Sequence, residues 1–332
     1  MPVVNAPPAQ PANSYSDSLY VCYYFVLLLD ILGQKNELRR WEKLMPGGVA
    51  APEMLQAVRG SLGRVINLKN TFQRISASLE DGVTQSVTRG LIALQTPAGP
   101  ERERYNALSG AVPKWLHFSD MLVAYAPATI GPSKDWNIAA LHRMLGAACG
   151  VMPTFLAQAT PLRGALCIGG GIEDREVSFY GPALAEAHRL ESEVADYPRI
   201  VLSRELRDFI RSQPPENTGT ANLYVRNGFR LCQQLIGDDT DGETIVDYLG
   251  PGAWELVEGK AGLWNDLQRA VREGAQFAIN ECRRLTQAPA QAAVAPAQPR
   301  MSPAEKYARL RVYFESKGVG PETNHVNPTA HR

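Results

Sequence analysis

The sequence predicts an α+β fold, in which a layer of strands packs against helices. Short apolar runs of strand length alternate along the chain with longer stretches of helical periodicity. Two of the short runs, 114–119 and 121–126, are almost contiguous, which is typical of an antiparallel hairpin and argues against a helical bundle. The chain has 332 residues, 45% of them hydrophobic, which is enough to bury a large core.

The predicted elements follow one another through a folded body at about 18–285. Apolar runs predict strands at 21–29, 114–119, 121–126, 163–169, 175–180 and 199–202. Helical periodicity predicts helices at 31–42, 51–60, 67–80, 136–150, 182–194, 204–212 and 254–284. The segment 226–249 predicts a further hairpin with a polar tip.

The two ends of the chain differ in composition from this body. Residues 1–17 are rich in Pro, Ala and Asn and predict a disordered segment. The Ala/Pro-rich stretch 286–302 predicts a flexible linker. Ser302, Pro303 and Glu305 then form the pattern of a helix start, so a short helix at 303–316 is expected before a loose tail that runs to 332.

The charge balance limits the classes of partner. Lys plus Arg and Asp plus Glu number 34 each, so nucleic acid and anionic membranes are not expected as partners. The five cysteines are widely spread and include no CxxC pair, which favours reduced thiols in a cytosolic protein. The apolar segment 20–32 is too short to span a bilayer and has neither the basic stretch nor the cleavage site of a signal peptide. We therefore expect a cytoplasmic protein.

Two aspartates stand where apolar strands end. Asp30 closes the run YVCYYFVLLLD, and Asp120 lies between the two runs of the predicted hairpin. A carboxylate at the end of a buried strand is costly unless it leaves the core or is compensated by a positive charge. Both residues have an ordinary explanation as turn or edge aspartates. Carboxylates that face each other across neighbouring strands would instead suit two divalent cations bound to a triphosphate.

A third fragment, 162–192, predicts strand, turn, strand, glycine and helix, with Pro182 in the first helical turn. Helical spacing places a set of small and apolar residues toward the core: Ala183, Ala187, Leu190 and Val194. Ala185 and Arg189 share a different stripe, from which Arg189 can project. A guanidinium beside a metal-bound triphosphate stabilises the charge that grows during phosphoryl transfer.

Taken together, these fragments resemble the class III nucleotidyl cyclases. The matching motifs are LLLDILGQ with Asp30, LHFSD with Asp120, and GPALAEAHRLE with Arg189, in the order found in that family. More narrowly, the chain is similar to the divergent bacterial cyclases of the Pycsar anti-phage systems, which make cyclic pyrimidine mononucleotides. The resemblance implies a ferredoxin-like βαββαβ core at 18–205, followed by a family-specific extension at 206–285 that packs on the core.

The resemblance also implies a head-to-tail homodimer with its active sites at the interface. Asp30, Asp120 and the backbone carbonyl of Ile31 would hold two Mg²⁺ or Mn²⁺ ions per site. The loop through Gly33 would approach the β- and γ-phosphates of a nucleoside triphosphate. Arg189 of the other subunit would be catalytic, since it would support the charge on the pentacovalent phosphorus.

At the two positions to which the resemblance assigns base contacts, the chain departs from the purine cyclases. Leu116 and Ser178 occupy the two places where purine cyclases carry Lys, Glu or Asp, and this favours a pyrimidine base, UTP first and CTP next. Ala185 replaces the usual ribose-orienting asparagine. The implied product is a second messenger for a separate effector that senses cyclic nucleotides. Two alternatives stay open: a purine cyclase with altered base contacts, and a degenerate cyclase fold that binds a nucleotide or a partner protein without turnover.

Overall fold

The computed structural model describes residues 19–34, 52–79, 99–132, 134–174, 178–212, 220–258, 260–287 and 301–320. Several sequence predictions fall wholly or mostly outside these ranges. They are the disordered segment at 1–17, the helix at 31–42, the linker at 286–302 and the tail beyond 320.

The described strands and helices alternate along the chain, as the sequence predicts. The strands are β1 (Leu19–Ile31), β2 (Lys114–Phe118), β3 (Met121–Pro127), β4 (Thr129–Ile130), β5 (Asp135–Trp136), β6 (Leu162–Asp174), β7 (Ser178–Tyr180), β8 (Ile200–Leu202), β9 (Ile236–Asp238) and β10 (Thr244–Val246). The helices are α1 (Pro52–Ser78), α2 (Pro100–Ser109), α3 (Ile138–Ala157), α4 (Pro182–Glu193), α5 (Arg204–Arg211), α6 (Thr220–Gln234), α7 (Pro251–Glu255), α8 (Ala261–Gln287) and α9 (Pro303–Ser316).

Eight of the described strands form one mixed sheet. Its order is β2-β3-β1-β6-β8-β10-β9, and β7 pairs with the far end of β6. β1 pairs antiparallel with both β3 and β6, whereas β6 and β8 are parallel. β1 and β2 therefore run parallel with β3 between them, and β3 and β6 run parallel with β1 between them. This is a pair of interleaved split βαβ units, and the prediction of an α+β fold is confirmed.

The central strand β1 is covered on both faces. Residues 24–29 are almost completely buried, as expected for a strand between two packed layers. On one face, Tyr24 packs edge-on against Phe179 with ring centroids 4.9 Å apart, and α4 lies on β1 and β6. On the other face, the ring of Phe25 packs against that of Phe209 in α5, with ring centroids 5.7 Å apart. Nearer the start of β1, Val21 and Tyr23 are exposed, and near its other end the apolar run gives way to Asp30.

The predicted hairpin at 226–249 is wrong in its first half. Residues 220–234 form the helix α6, and only β9 and β10 make a hairpin. The buried residues Val225, Phe229 and Cys232 recur at helical spacing, and Gly228 lets this helix approach the side chain of Ile138 closely. The mixture of glycine with polar and apolar residues conceals that period in the sequence.

Other boundaries also differ from the predictions. The helices expected at 51–60 and 67–80 are one continuous helix, α1, while the helix expected at 254–284 is divided into α7 and α8. α2 and the short β4–β5 hairpin were not predicted. The predicted strand at 175–180 is shorter in the structure, where β7 begins at Ser178. The strands β2 and β3 and the helix α9 lie where the sequence places them.

Within the described residues, α3 is the one helix that is long and apolar enough to cross a membrane. Most of its apolar stretch, 89%, is buried inside the fold, which is typical of a core helix. α3 continues through Pro153 to Ala157, beyond the predicted end at 150. It packs between α1 and α8 and supports the sheet from one side.

Candidate functional site

Asp30 lies at the end of the buried part of β1, where two neighbouring strands meet it. In the sheet register it is opposite Met121 of β3 on one side and Arg163 of β6 on the other. Its side chain is only 15% exposed. Both Nε and Nη2 of Arg163 lie 3.4 Å from Asp30 Oδ2. The carboxylate is therefore held within the sheet edge rather than turned out to solvent.

Asp120 reaches the same edge through the tight turn between β2 and β3. Phe118 and Met121 close this hairpin, so Ser119 and Asp120 form its two-residue loop. Ser119 has φ 54, a left-handed backbone conformation that residues other than glycine adopt at some energetic cost. The N–H of Ile31 donates to the carbonyl oxygen of Asp120 at 3.4 Å, which ties the turn to the end of β1. The structure thus brings the two predicted aspartates to one place.

A third carboxyl, which sequence reasoning missed, comes from α4. Glu191 is 3% exposed, and its Oε1 lies 2.5 Å from Arg163 Nε. Its charge also acts on Asp30, whose pKa it raises. Its spacing of four residues from buried Ala187 places it on the inward stripe of the helix, and this is the signal that could have found it.

The electrostatics of this cluster favour an additional positive charge. Burial, followed by the charge of Glu191, raises the pKa of Asp30 to about 7, and the charge of Asp120 acts in the same direction. Arg163 opposes these effects without cancelling them. Burial also raises the pKa of Glu191. Asp30, Glu191 and the nearby Asp120 together outnumber the one guanidinium of Arg163, so the cluster carries excess negative charge once all three carboxyl groups ionise.

The donor set fits a divalent cation that is shared with a phosphate ligand. No group of three or more His, Cys, Asp or Glu side chains in the described part of the chain is arranged as a ready-made metal centre. Mg²⁺ is commonly held by only one or two carboxylates together with substrate phosphates. Asp30 and Asp120, with the backbone carbonyl of Ile31, could supply that partial set.

Arg189 lies on the outer face of α4, away from Glu191. Its side chain is 47% exposed and pairs within the helix with Glu186, at 2.7 Å, and with Glu193, at 3.3 Å. Ala185 is exposed on the same helix. Of the predicted core-facing set, Ala183, Ala187 and Leu190 are buried and Val194, at the C-cap, is partly buried, so the two predicted stripes are confirmed. Within one chain, Arg189 does not belong to the Asp30 cluster.

The predicted nucleotide contacts are divided between the two ends of the sheet. Gly33 follows β1 at the Asp30 end, is exposed and has φ 92, a conformation that suits glycine. Leu116 is partly buried in β2, two residues from the hairpin turn.

Ser178 lies at the opposite end of the sheet. Ser178 of β7 pairs with Asp174 of β6, and Asp174 pairs with Leu19 of β1. Leu19 is eleven residues along β1 from Asp30. At about 3.3 Å per residue this is a separation of roughly 36 Å. One chain does not bring Ser178 and Asp30 together.

Comparison of the chain with protein-family models, with characterised proteins and with solved structures gives no match. The family resemblance therefore depends on the motifs around Asp30, Asp120 and Arg189 and on the geometry that they adopt.

Proposed function

We propose that this chain is a nucleotidyl cyclase of the class III type, which converts a nucleoside triphosphate to the 3′,5′-cyclic mononucleotide and pyrophosphate. The observation that carries the proposal is the convergence of Asp30 and Asp120 at one edge of a sheet with two split βαβ units. The raised pKa of Asp30, about 7, indicates that Arg163 does not fully compensate the negative charge at this edge. The sheet order is that of the ferredoxin-like core expected for this family.

In the proposed reaction the chain positions and neutralises its substrate rather than attacking it. The ribose 3′-oxygen attacks the α-phosphorus, the bond from this phosphorus to the bridging oxygen breaks, and the hydroxyl proton passes to solvent as pyrophosphate leaves. Two Mn²⁺ or Mg²⁺ ions, when bound, lower the pKa of the hydroxyl and neutralise the phosphates. Asp30, Asp120 and the carbonyl of Ile31 would hold these ions.

The loop at Gly33 and a second copy of the chain complete the proposed site. Gly33 has a left-handed conformation and no atom within 4 Å of an added Cβ, so the backbone there is open to a phosphate ligand. The N–H groups of Ile31 and Leu32 already donate to Asp120 and Pro161, so the proposed phosphate contact would come from the backbone from Gly33 onward.

Arg189 is exposed on the outer face of α4, and in the proposed homodimer it would act in the active site of the partner. The same head-to-tail homodimer would bring Ser178 of one subunit toward Asp30 of the other.

We propose a pyrimidine substrate, with UTP preferred and CTP next. Leu116 is apolar and partly buried, and Ser178 offers only a small hydroxyl, so neither position supplies the charged group that would select a purine. The product would act as a second messenger in anti-phage defence, through a separate effector in the cytoplasm. This part of the proposal depends on the resemblance to the pyrimidine cyclases.

A nucleotide-binding module without turnover is the second candidate. Arg163 already contacts Asp30, and Arg189 is engaged by Glu186 and Glu193. Ala185 has no group that could orient a ribose. Metal-dependent binding of nucleoside triphosphate with no release of pyrophosphate would favour this candidate over the cyclase.

The test is incubation of the purified chain with each of the four nucleoside triphosphates and Mn²⁺, with products identified by mass spectrometry. We expect a cyclic pyrimidine nucleotide, with at least about a 100-fold loss of rate in Asp30→Ala and in Asp120→Ala, the scale on which one electrostatic contact at a reacting centre acts. Asp266→Ala, which removes an exposed carboxylate on α8, is the matched control and should be unaffected. A cyclic product formed equally well by both site variants would refute the metal assignment.

A further inference from the structure

Arg163 lies between two carboxyl groups that come from different elements. Its position is fixed by the register of β6 against β1, opposite Asp30. The guanidinium contacts Asp30 Oδ2 at 3.4 Å and Glu191 Oε1 at 2.5 Å, so it lies closer to the glutamate. Arg163 lies outside the motifs that carry the family resemblance, and Glu191, the last residue of the third motif, has no role assigned by that resemblance.

We propose that Glu191 holds the Arg163 guanidinium to one side, and that Arg163 otherwise competes with a divalent cation for Asp30. Both would be positioning residues that set the affinity of the metal site. The inference rests on the proposed function, since it assumes that Asp30 is a metal ligand. It goes beyond that function in assigning the control of metal affinity to an ion pair outside the ligand set.

The physical reason is that the guanidinium cannot lose its charge. An arginine stays protonated in proteins, so Arg163, whose side chain is only 20% exposed, needs an anionic partner at all times. If a cation occupies Asp30, the guanidinium is repelled and must be stabilised elsewhere. Glu191 is 3% exposed and is already within contact distance, so Arg163 can be retained by a small side-chain rotation.

The burial of Glu191 supports an assigned role for this residue. A carboxyl group this deeply buried is costly unless it is paired. The described contacts of its Oε1 include the ion pair with Arg163 but no hydrogen bond of good geometry. This oxygen can therefore strengthen its contact with Arg163 when the guanidinium moves away from Asp30.

Single substitutions should change metal affinity in opposite directions. Arg163→Met removes the competing cation and should tighten the binding of Mn²⁺. Glu191→Gln releases Arg163 onto Asp30 and should weaken it. Direct electrostatic effects of Glu191 and Arg163 on the cation would also weaken and tighten its binding in these two variants. The measurement that separates the two explanations is the Mn²⁺ affinity of the double variant.

If Glu191 acts through Arg163, then Glu191→Gln should have little effect once Arg163 is absent. We expect each single variant to change the Mn²⁺ dissociation constant by about threefold or more, and Glu191→Gln to change it by less than about twofold in the Arg163→Met background. The measurement is titration with Mn²⁺ alone, followed by electron paramagnetic resonance of the free ion on the full chain. Arg284→Met and Glu281→Gln, an exposed pair on α8, are matched controls that should leave the constant unchanged.

Circular dichroism would show whether each variant folds. If Arg163→Met does not fold, Arg163→Gln would replace it as the variant in which Glu191→Gln is tested. An equal effect of Glu191→Gln with and without Arg163 would overturn the inference, because Glu191 would then act on the cation directly. That outcome would leave the proposed function intact if Asp30→Asn still abolishes Mn²⁺ binding. Binding that Asp30→Asn does not weaken would overturn the proposed metal site and this inference together.

Discussion

The hydroxyl of Tyr313 on α9 donates a 2.8 Å hydrogen bond to Oδ1 of Asp247, which lies immediately after β10. The N–H of Leu249 donates to the same tyrosine oxygen at 3.2 Å, and Lys317 Nζ lies 2.5 Å from Asp247 Oδ2. Leu310 and Phe314, on the same helix, are buried in the core. α9 is thus an integral part of the fold, although it follows the predicted linker at 286–302.

Tyr313→Phe should therefore destabilise the chain. The substitution removes a hydrogen bond to a buried charged group and leaves the N–H of Leu249 without this acceptor, which together cost about 1–3 kcal/mol. Urea unfolding would measure the loss. Tyr307→Phe, on the same helix, is the control because the ring of Tyr307 packs edge-on against Phe277. An equally small change in both variants would mean that α9 does not depend on Asp247.

Gly164 allows β6 to approach β1 closely, one residue from Arg163. A Cβ atom at this position would lie 2.2 Å from the backbone oxygen of Leu28. Gly164→Ala should therefore force the two strands apart, at a cost of about 1–3 kcal/mol or more. Gly170→Ala, in the same strand but with no atom within 4 Å of the added carbon, is the matched control. The two melting temperatures, measured by calorimetry, should differ by several degrees, and coincident melts would contradict the prediction.

The parts of the fold that the sequence predicts are those whose signal is local. β1 is a continuous apolar run, and the hairpin of β2 and β3 follows from two adjacent runs. The capping box of Ser302 and Glu305 is present at the start of α9, as its four-residue pattern indicates. The sequence alone allows Asp30 and Asp120 to be predicted as neighbours, because a strand end and a hairpin turn both lie where the strands of a sheet end.

Arg163 and Glu191 could not be predicted in the same way. Their contact depends on the register of β6 against β1 and on how α4 rests across both strands, and no short sequence pattern specifies either. The helix at 220–234 was missed because its buried stripe becomes evident only when α3 and α7 supply its neighbours. Long-range packing therefore accounts for both the undetected half of the site and the main error in the fold.

The contribution of Asp30 to the stability of the metal-free chain should fall as the pH rises from about 4 to about 7. Burial and the charge of Glu191 raise the pKa of Asp30 from its ordinary value of 3.8 to about 7, so across this interval the folded chain keeps a proton that the unfolded chain releases. Stability rises with pH only where the unfolded state binds more protons, and here the folded state binds more. The free energy of unfolding contributed by Asp30 must therefore fall.

Asp30→Asn cannot ionise, so its stability should fall less steeply than that of the unmodified chain. Urea unfolding in EDTA at several values between about pH 4.5 and pH 7.5 would measure both slopes. Glu191 also has a raised pKa and interacts with Asp30, so the difference between the slopes reports the ionisation of Asp30 together with its effect on Glu191. Asp266→Asn, at an exposed position, should follow the unmodified chain. Parallel slopes for Asp30→Asn and the unmodified chain would show that the pKa of Asp30 is not raised.

If the active sites lie between two copies of the chain, two inactive variants should restore activity when they are mixed. Arg189 is exposed on the outer face of α4 and does not contact Asp30 within its own chain. In a dimer of Asp30→Ala with Arg189→Ala, one site would combine the intact aspartates of one subunit with the intact arginine of the other. Random exchange makes half of the dimers mixed, each with one competent site, so about a quarter of the original activity should return.

The assay would be cyclic nucleotide formation after the two variants are unfolded and refolded together. A mixture of Asp30→Ala with Asp120→Ala is the matched control, because each competent site needs both aspartates from one subunit and no mixed dimer would contain one. Activity in the control mixture would show that the aspartates come from different subunits. If instead the Asp30→Ala and Arg189→Ala mixture stayed inactive while both variants were dimeric, Arg189 would act within its own chain, and α4 would have to turn to bring it there.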